Sequence, residues 1–417
     1  MNAEPPDPAW IDRTLVCARP QVVGALLRYF RDLEKAEEAF QEACLRALGH
    51  WPRNGPPRDP VAWLIMVGRN VTLDHVRRQA RQQPLPDEAL LSELEDAETP
   101  LADRLDNADY RDDVLRLLFI CCHPDLPATQ QIALALRIVC GLSVSQIARA
   151  FLVSDSAMEQ RITRAKGRIG AGDAPFETPG PLERAERLES VAAMLYLLFN
   201  EGYSASGEQL RDRAPLCAEA IRLTRLLLRL FPAEPEIMGL LSLMLLQHAR
   251  QKARFDADGG IILLEAQDRF LWNRTMITEG TALIDKAVRH RRRGPYQFQA
   301  AIAALHASAA SPPETDWPQI ELLYRGLEQI QPSPVVTLNR AVALSKVAGP
   351  AAALDLIDPL AERLDSYFHY HGVRGAFLMQ LERRGEARTA FDRAIARART
   401  PAEAAQIRQY LDQLATS

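Results

Sequence analysis

Apolar residues recur along this chain at three- and four-residue spacing, and two-residue alternation is scarce, so the pattern predicts an all-α protein. Between Leu142 and Arg168 the pattern resolves into two helices around a tight turn. Ser143 followed by Gln146 has the form of a capping box and starts the first helix. Ile147, Ala148 and Phe151 give it an apolar side. Val153 closes the turn, and Ser154 suits a second N-cap. Met158, Ile162, Ala165 and Ile169 then fall at i, i+4, i+7 and i+11, one buried stripe. At about 100° per residue, Ser156, Gln160, Thr163 and Gly167 face the other way. Arg161, Arg164, Lys166 and Arg168 lie on the flanks and last turns. Such a pair can bring short polar side chains to base edges in a major groove while its cations hold phosphates. A solvated pair in a helical bundle carries the same pattern, so both readings stand on this stretch alone.

The same periodicity places the other elements. Arg31–Trp51 reads as an amphipathic helix with Ala36, Ala39, Phe40, Ala43 and Ala47 inside and Glu34, Glu38, Gln41 and Leu45 outside. The outer side is either an ordinary solvated face or a docking surface for a basic partner. Trp51-Pro52 and Asn54-Gly55-Pro56-Pro57 break it, and Pro60 suits the first position of the next helix. Val61, Leu64, Ile65 and Gly68 form that helix's inner side, with Asn70, Asp74, Arg77 and Arg81 opposite and Arg78 adjacent. Trp63 shares the outer phase if the helix is unbroken, where it can stack an unpaired base; the other reading packs it between helices. Residues 83–112 read as a linker, and a helix over Asp113–Cys122 opens a second module. Beyond Pro179-Gly-Pro, Cys217–Phe231 and Pro235–Ala253 read as a helix pair. Arg340–Leu344 and Arg374–Leu378 stand one tetratricopeptide period apart, and each is followed by a glycine (Gly349, Gly385) and an Ala-rich helix.

Charge sharpens this division. The net charge of −4 does not by itself mark a nucleic-acid binder. Residues 85–113 nevertheless hold eleven Asp/Glu against two Arg, and residues 114–170 hold seven Lys/Arg against three Asp/Glu. An acidic linker beside a basic module suits a DNA-binding unit that also meets a positive partner. The six cysteines show no metal-ligand spacing, which favours reduced, mostly buried thiols; Cys121-Cys122-His123 is a weak exception. Asp256-Ala-Asp258-Gly259-Gly260 lacks the spaced ligands of a calcium loop and reads as a turn. No apolar run is long enough for a bilayer, and no signal peptide is evident, so a cytoplasmic location is expected. The tail carries no phosphate loop, metalloprotease motif or nucleophile elbow; no enzyme activity, catalytic residue, cofactor or metal is expected.

In this order the pieces resemble bacterial extracytoplasmic-function (ECF) sigma factors of the sigma-70 family. LEKAEEAFQEACLRAL is similar to their region 2.2, AWLIMVGRNVTLDHVRR to regions 2.3–2.4, and LSVSQIARAFLVSDSAMEQRITRAKGRI to region 4.2. FNEGYSAS, CAEAIRLTRLLLRL, EAQDRFLW, TDWPQIELLY and VVTLNRAVAL resemble the tetratricopeptide-like C-terminal extension of a large ECF subgroup, often called group 42. The resemblance implies region 2 over 10–82, an acidic linker over 83–112, region 4 over 113–172, and a helical regulatory domain over 180–417. It implies that Glu34, Glu37, Glu38 and Gln41 dock on the β′ clamp helices of core RNA polymerase, and that region 4 meets the β flap. It places Arg69, Asn70, Arg77 and Arg78 on the −10 element of promoter DNA, to which the outer phase adds Trp63. Ser156, Glu159, Gln160, Arg161 and Arg164 are placed on the −35 element, to which the outward phase adds Thr163 and the flank adds Lys166. Helical phasing agrees for Glu34, Glu38, Gln41, Asn70, Arg77, Ser156 and Gln160, but sets Arg69 nearer the inner side and Arg161 at the edge of the buried stripe. Tyr203, Asp268 and Trp317 are candidates for a tail pocket by resemblance alone, and the tail is expected to meet a regulatory protein or ligand. The competing class is a helix-turn-helix regulator with a sensing tail that does not bind core polymerase.

Overall fold

A computed structural model describes residues 8–55, 57–80, 107–123, 126–151, 153–171, 181–203, 209–256, 260–398 and 401–416. In chain order the first helices are α1 (Pro8–Phe30), α2 (Leu33–Asn54), α3 (Pro60–Ala80), α4 (Asn107–Cys121), α5 (Ala128–Ile138), α6 (Val144–Ala150) and α7 (Asp155–Ala171). They are followed by α8 (Pro181–Tyr203), α9 (Gln209–Leu230), α10 (Pro235–His248), α11 (Arg274–Arg289), α12 (Pro295–Ser308) and α13 (Trp317–Ile330). The last are α14 (Pro334–Ala348), α15 (Pro350–Ile357), α16 (Phe368–Gln380), α17 (Arg384–Arg397) and α18 (Pro401–Thr416). Prolines open many of them because the first helical position needs no N–H donor and the ring already holds φ at a helical value. Among the described residues there is no strand, only an isolated antiparallel bridge between Phe255 and Ile261. The all-α expectation therefore holds. The chain divides into two compact units, Met1–Leu197 and Leu198–Ser417.

In the first unit α1, α2 and α3 pack on one another, and α4 packs along α1. Asp32 caps α2, its carboxylate accepting from the Glu34 and Lys35 amides. The inner stripe of α2 is buried as its spacing predicts, and Leu33 and Trp51 extend it to both helix ends. Trp51 lies between Trp10 and Trp63, with ring centroids 5.9 and 5.4 Å away. Close approach to α1 depends on small residues. A Cβ on Gly24 would lie 2.7 Å from the Asp113 carbonyl oxygen of α4, and one on Gly68 of α3 would lie 3.1 Å from Leu26.

In the second unit α10 is buried on every side over Ile237–Leu246 and packs against both α11 and α12. Ser242 donates to the Gly280 carbonyl at 2.6 Å, which satisfies the hydroxyl inside this apolar layer. The sequence period reappears as structure: α14 and α15 start at Pro334 and Pro350, and α16 and α17 start one period later at Phe368 and Arg384. Leu338, Leu354, Phe377 and Phe391 belong to one core. The Phe391 ring occupies the space where a Cβ on Gly375 would stand.

Buried histidines give this unit a pH dependence. His306 packs edge-on against Trp317, and burial, aided by Arg250 and Arg269, pushes its pKa down to about 4. The folded imidazole stays neutral while the unfolded one protonates near its ordinary value, so stability is lost as pH falls through the unfolded value towards about 4. That loss is at most about 3 kcal/mol for this group. We predict that His306→Gln removes part of the difference in urea midpoint between neutral and mildly acidic solution. His248, His369 and His371 are displaced in the same direction by burial and retain the remainder.

Candidate functional site

The helix-turn-helix forms with the caps that its sequence specifies. Ser143 Oγ accepts from the Gln146 amide at 3.1 Å, and Gln146 Oε1 accepts from the Ser143 amide at 2.8 Å, a complete capping box. The Val153 amide donates to the Ala148 carbonyl to close the turn, and Ser154 Oγ accepts from the Ala157 amide. Met158, Ile162, Ala165 and Ile169 are buried, while Ser156, Glu159, Gln160, Thr163 and Arg164 are exposed and Arg161 is half-buried. The α7 face opposite the core is thus polar from its first turn onward, with Arg164 one turn beyond Gln160. A glutamine and an arginine held this way on a rigid helix can present an amide to a base edge and a guanidinium to a phosphate.

On α2, Glu34, Glu38 and Gln41 are exposed along one line that continues into Leu45, which is 65% exposed. Leu48, 53% exposed, adds a second outward leucine that the sequence pattern does not single out. Acidic and apolar groups on one open helix face can meet a basic, partly apolar partner surface. Glu37 departs from this arrangement, which corrects its assignment to the docking face. It is 5% exposed, because Leu33, Glu37, Phe40 and Trp51 share the inner side of the helix.

Glu37 is satisfied there by charge. Its Oε1 accepts from Arg19 Nη2 at 3.0 Å and its Oε2 from Lys166 Nζ at 2.7 Å. Arg19 in turn donates through Nε to the Ile138 carbonyl at 2.8 Å and through Nη2 to the Arg137 carbonyl at 3.3 Å. Burial lowers the Arg19 pKa, and Glu37 opposes that shift. Gly141, at φ 75°, leaves room for Arg19, whose Cδ would lie 2.9 Å from any Cβ there. This network fastens α1 and α2 to the end of α5 and to α7. It also corrects the assignment of Lys166 to the DNA face, since its ammonium turns inward to Glu37 and its side chain is only 20% exposed.

On α3 the correction concerns Trp63, which is 1% exposed, packed on Trp51 and stacked on His50, so its ring is closed to an extruded base. The whole run Ala62–Gly68 is buried, so the outward phase read from the later turns does not extend back to Trp63. Arg69 is half-buried with its guanidinium 4.4 Å from the Tyr29 ring centroid, and Asn70 is exposed. Asp74, Arg77, Arg78 and Arg81 lie outside the described side chains, and most of the acidic linker lies outside the described residues.

The tail candidates hold structure locally. Tyr203 lies under Arg254, whose guanidinium is 3.7 Å from the ring centroid, and its hydroxyl accepts from Arg250 at 2.9 Å. Asp268 accepts from the Phe270 amide at 2.9 Å and so caps a short turn, while half-buried Trp317 packs against His306. Asp256 accepts from the Gly260 amide, and residues 257–259 of the turn expected there lie outside the described residues. All six thiols are free, with Cys17 exposed and Cys44 half-buried. Burial pushes the Cys122 thiol up to about 12 and Cys121 well above its ordinary value. Among the described residues no cluster of His, Cys, Asp and Glu has the form of a metal site, and no helix is long and apolar enough to cross a membrane.

Known families match both modules and part of the tail. Sigma-70 region 2 matches residues 16–82, sigma-70 region 4 matches residues 116–169, and a family of unknown function, DUF6596, matches residues 187–288. An uncharacterised protein of Rhizobium meliloti (strain 1021) is 68% identical over 409 residues, covering 98% of this chain and 97% of its own. The ECF RNA polymerase sigma factor SigC of Mycobacterium tuberculosis and the probable RNA polymerase sigma-C factor of Mycobacterium bovis are each 27% identical over 163 residues. Those alignments cover 39% of this chain and 83% of each relative. No solved structure matches. The chain thus carries a sigma-70 region 2 followed by a helix-turn-helix sigma-70 region 4. Over these two modules the chain is similar to ECF sigma factors.

Proposed function

We propose that the chain binds core RNA polymerase through α2 and directs it to promoter DNA through α3 and α7. The observation that carries this reading is the outward line Glu34, Glu38, Gln41 and Leu45 on α2, in the same unit as an outward polar face on α7. A regulator acting on DNA alone has no use for the first of these faces. Core polymerase docks its β′ clamp helices on Glu34, Glu38 and Gln41, and the β flap meets region 4. Arg69, Asn70, Arg77 and Arg78 grip the unpaired −10 strand, where contacts to backbone and base offset an extrusion cost of a few kcal/mol. Ser156, Glu159, Gln160, Arg161, Thr163 and Arg164 read the −35 duplex. Nucleotidyl transfer stays with the polymerase. Co-elution of the full-length protein with core polymerase tests the reading; tight promoter binding without any core association would instead make the chain a helix-turn-helix regulator.

Within this reading Gln160 specifies and Arg164 positions. Gln160→Ala relaxes preference at one base position of the −35 element, by about 1–3 kcal/mol. Arg164→Ala weakens binding alike on all sequences and shallows the salt dependence by about one unit of slope. Competition binding over single-base promoter variants checks both, and unchanged preference in Gln160→Ala would mean that another side chain reads the bases.

The second unit acts, in our reading, as a control domain of the tetratricopeptide-like ECF subgroup and meets a regulatory protein or ligand. Stacked helix pairs form extended surfaces that suit recognition of a partner segment. We assign it a positive role, so a 1–172 truncation loses promoter-dependent transcription while retaining core affinity; equal activity would remove the control role, and a gain would make it inhibitory.

A further inference from the structure

We propose that the turn joining α11 to α12 is a second DNA-contact surface, and that its ligand is the phosphate backbone of duplex DNA. The segment 286–293, KAVRHRRR, places five Lys/Arg in eight residues with no acid among them. Lys286, Arg289, His290, Arg291, Arg292 and Arg293 are all exposed. The fold holds the turn firmly. Arg292 Nη2 donates to Glu234 Oε2 at 2.9 Å and to the Ala233 carbonyl at 3.3 Å. Its own carbonyl accepts from Gln297 Nε2 at 2.7 Å. The Glu236 carboxylate then caps α12, accepting from the Tyr296 and Gln297 amides at 3.1 and 3.2 Å. A Cβ on Gly294 would overlap that carboxylate, which fixes the approach of the two segments.

Anchoring therefore uses Arg292 alone. Among the described residues Lys286, Arg289, Arg291 and Arg293 make no ion pair, whereas other arginines of this unit do, as in Arg225–Glu279, Arg340–Glu328, Arg374–Asp358 and Arg397–Asp365. The α11 dipole accounts for cations in its last turn, Lys286 and Arg289. It does not account for Arg291 and Arg293, which lie beyond the helix, with Arg291 in the left-handed region at φ 56°. Unpaired like charges on a rigid turn repel one another, and an array of anions relieves that repulsion. Phosphodiesters fit, because each carries one charge and guanidinium groups bind phosphate oxygens in a fork. A protein partner fits less well: protein interfaces centre on apolar anchors, and here the cations surround only the exposed Val288.

The proposal rests on the sigma-factor reading only in that promoter binding brings duplex DNA to the chain. The test is fluorescence anisotropy of the full-length protein with a duplex lacking any promoter, across a salt series. Arg289→Ala/Arg291→Ala/Arg293→Ala is compared with Arg164→Ala/Arg168→Ala, so failure of the tail site and failure of the region 4 site are read separately. The exposed tail substitutions leave the thermal melt unchanged. The tail triple variant shallows the slope of log affinity against log salt by about three units, since each lost phosphate contact removes close to one. An unchanged slope in the folded triple variant overturns the proposal. Loss of binding to polyglutamate with DNA binding intact also overturns it, in favour of an acidic protein partner.

Discussion

We predict that Glu38→Lys/Gln41→Lys abolishes co-purification with core RNA polymerase and leaves the protein folded. Both side chains are exposed on α2, one turn apart, on the line that runs from Glu34 to Leu45. Neither points into the core of the first unit, so the substitution changes stability by no more than about 0.5 kcal/mol per site. Its effect on association is large, because it turns an acidic and a neutral group into two cations facing a basic partner. Like charges set against each other at an interface cost several kcal/mol, which is several orders of magnitude in affinity. Leu45→Asp and Leu48→Asp should weaken association through the apolar part of the same face. Retained core binding by the folded double variant would place the docking surface elsewhere on the chain.

The second large effect is on stability. Glu37→Ala leaves the buried Arg19 guanidinium with only the Ile138 and Arg137 carbonyls, and removes the carboxylate that balances its charge. Breaking a buried pair from one side costs about 3–5 kcal/mol, mostly for the charge left behind. Lys166→Met is far milder, because the Lys166 end of the network reaches solvent and Glu37 keeps Arg19. Urea unfolding of protein carrying fluorinated tryptophan checks this. Trp51 and Trp63 report the first unit separately from Trp272 and Trp317 in the second. Equal midpoints for wild type and Glu37→Ala at Trp51 and Trp63 would mean that the network contributes nothing to holding α1 and α2 on α5 and α7.

The contrast between Gln160 and Glu37 explains what the sequence discloses here. Caps and stripes are local: Ser143 with Gln146, Ser154, and Met158 through Ile169 are specified within a few turns, and the structure forms them as read. The period of the tail's last helix pairs is equally legible, because helix lengths repeat with the pattern that produces them. Glu37 is different. Its docking role comes from the resemblance and not from helical phasing, and the two partners that hold it inside lie 18 and 129 residues away. Lys166 escapes a helix wheel because a long flexible stem on a flank can turn either way. Trp63 is a matter of phase: the outward phase is read from the sequence of the later turns, whereas the run Ala62–Gly68 is buried all round.

Run-off transcription decides whether the chain directs promoter-specific initiation. Purified core polymerase is combined with the full-length chain on a template carrying a promoter from the source genome, with no other sigma factor present and core alone as reference. A transcript of defined length is expected that requires the chain and disappears with Glu38→Lys/Gln41→Lys. A chain that binds the promoter tightly yet yields no transcript above core alone would contradict the sigma-factor reading.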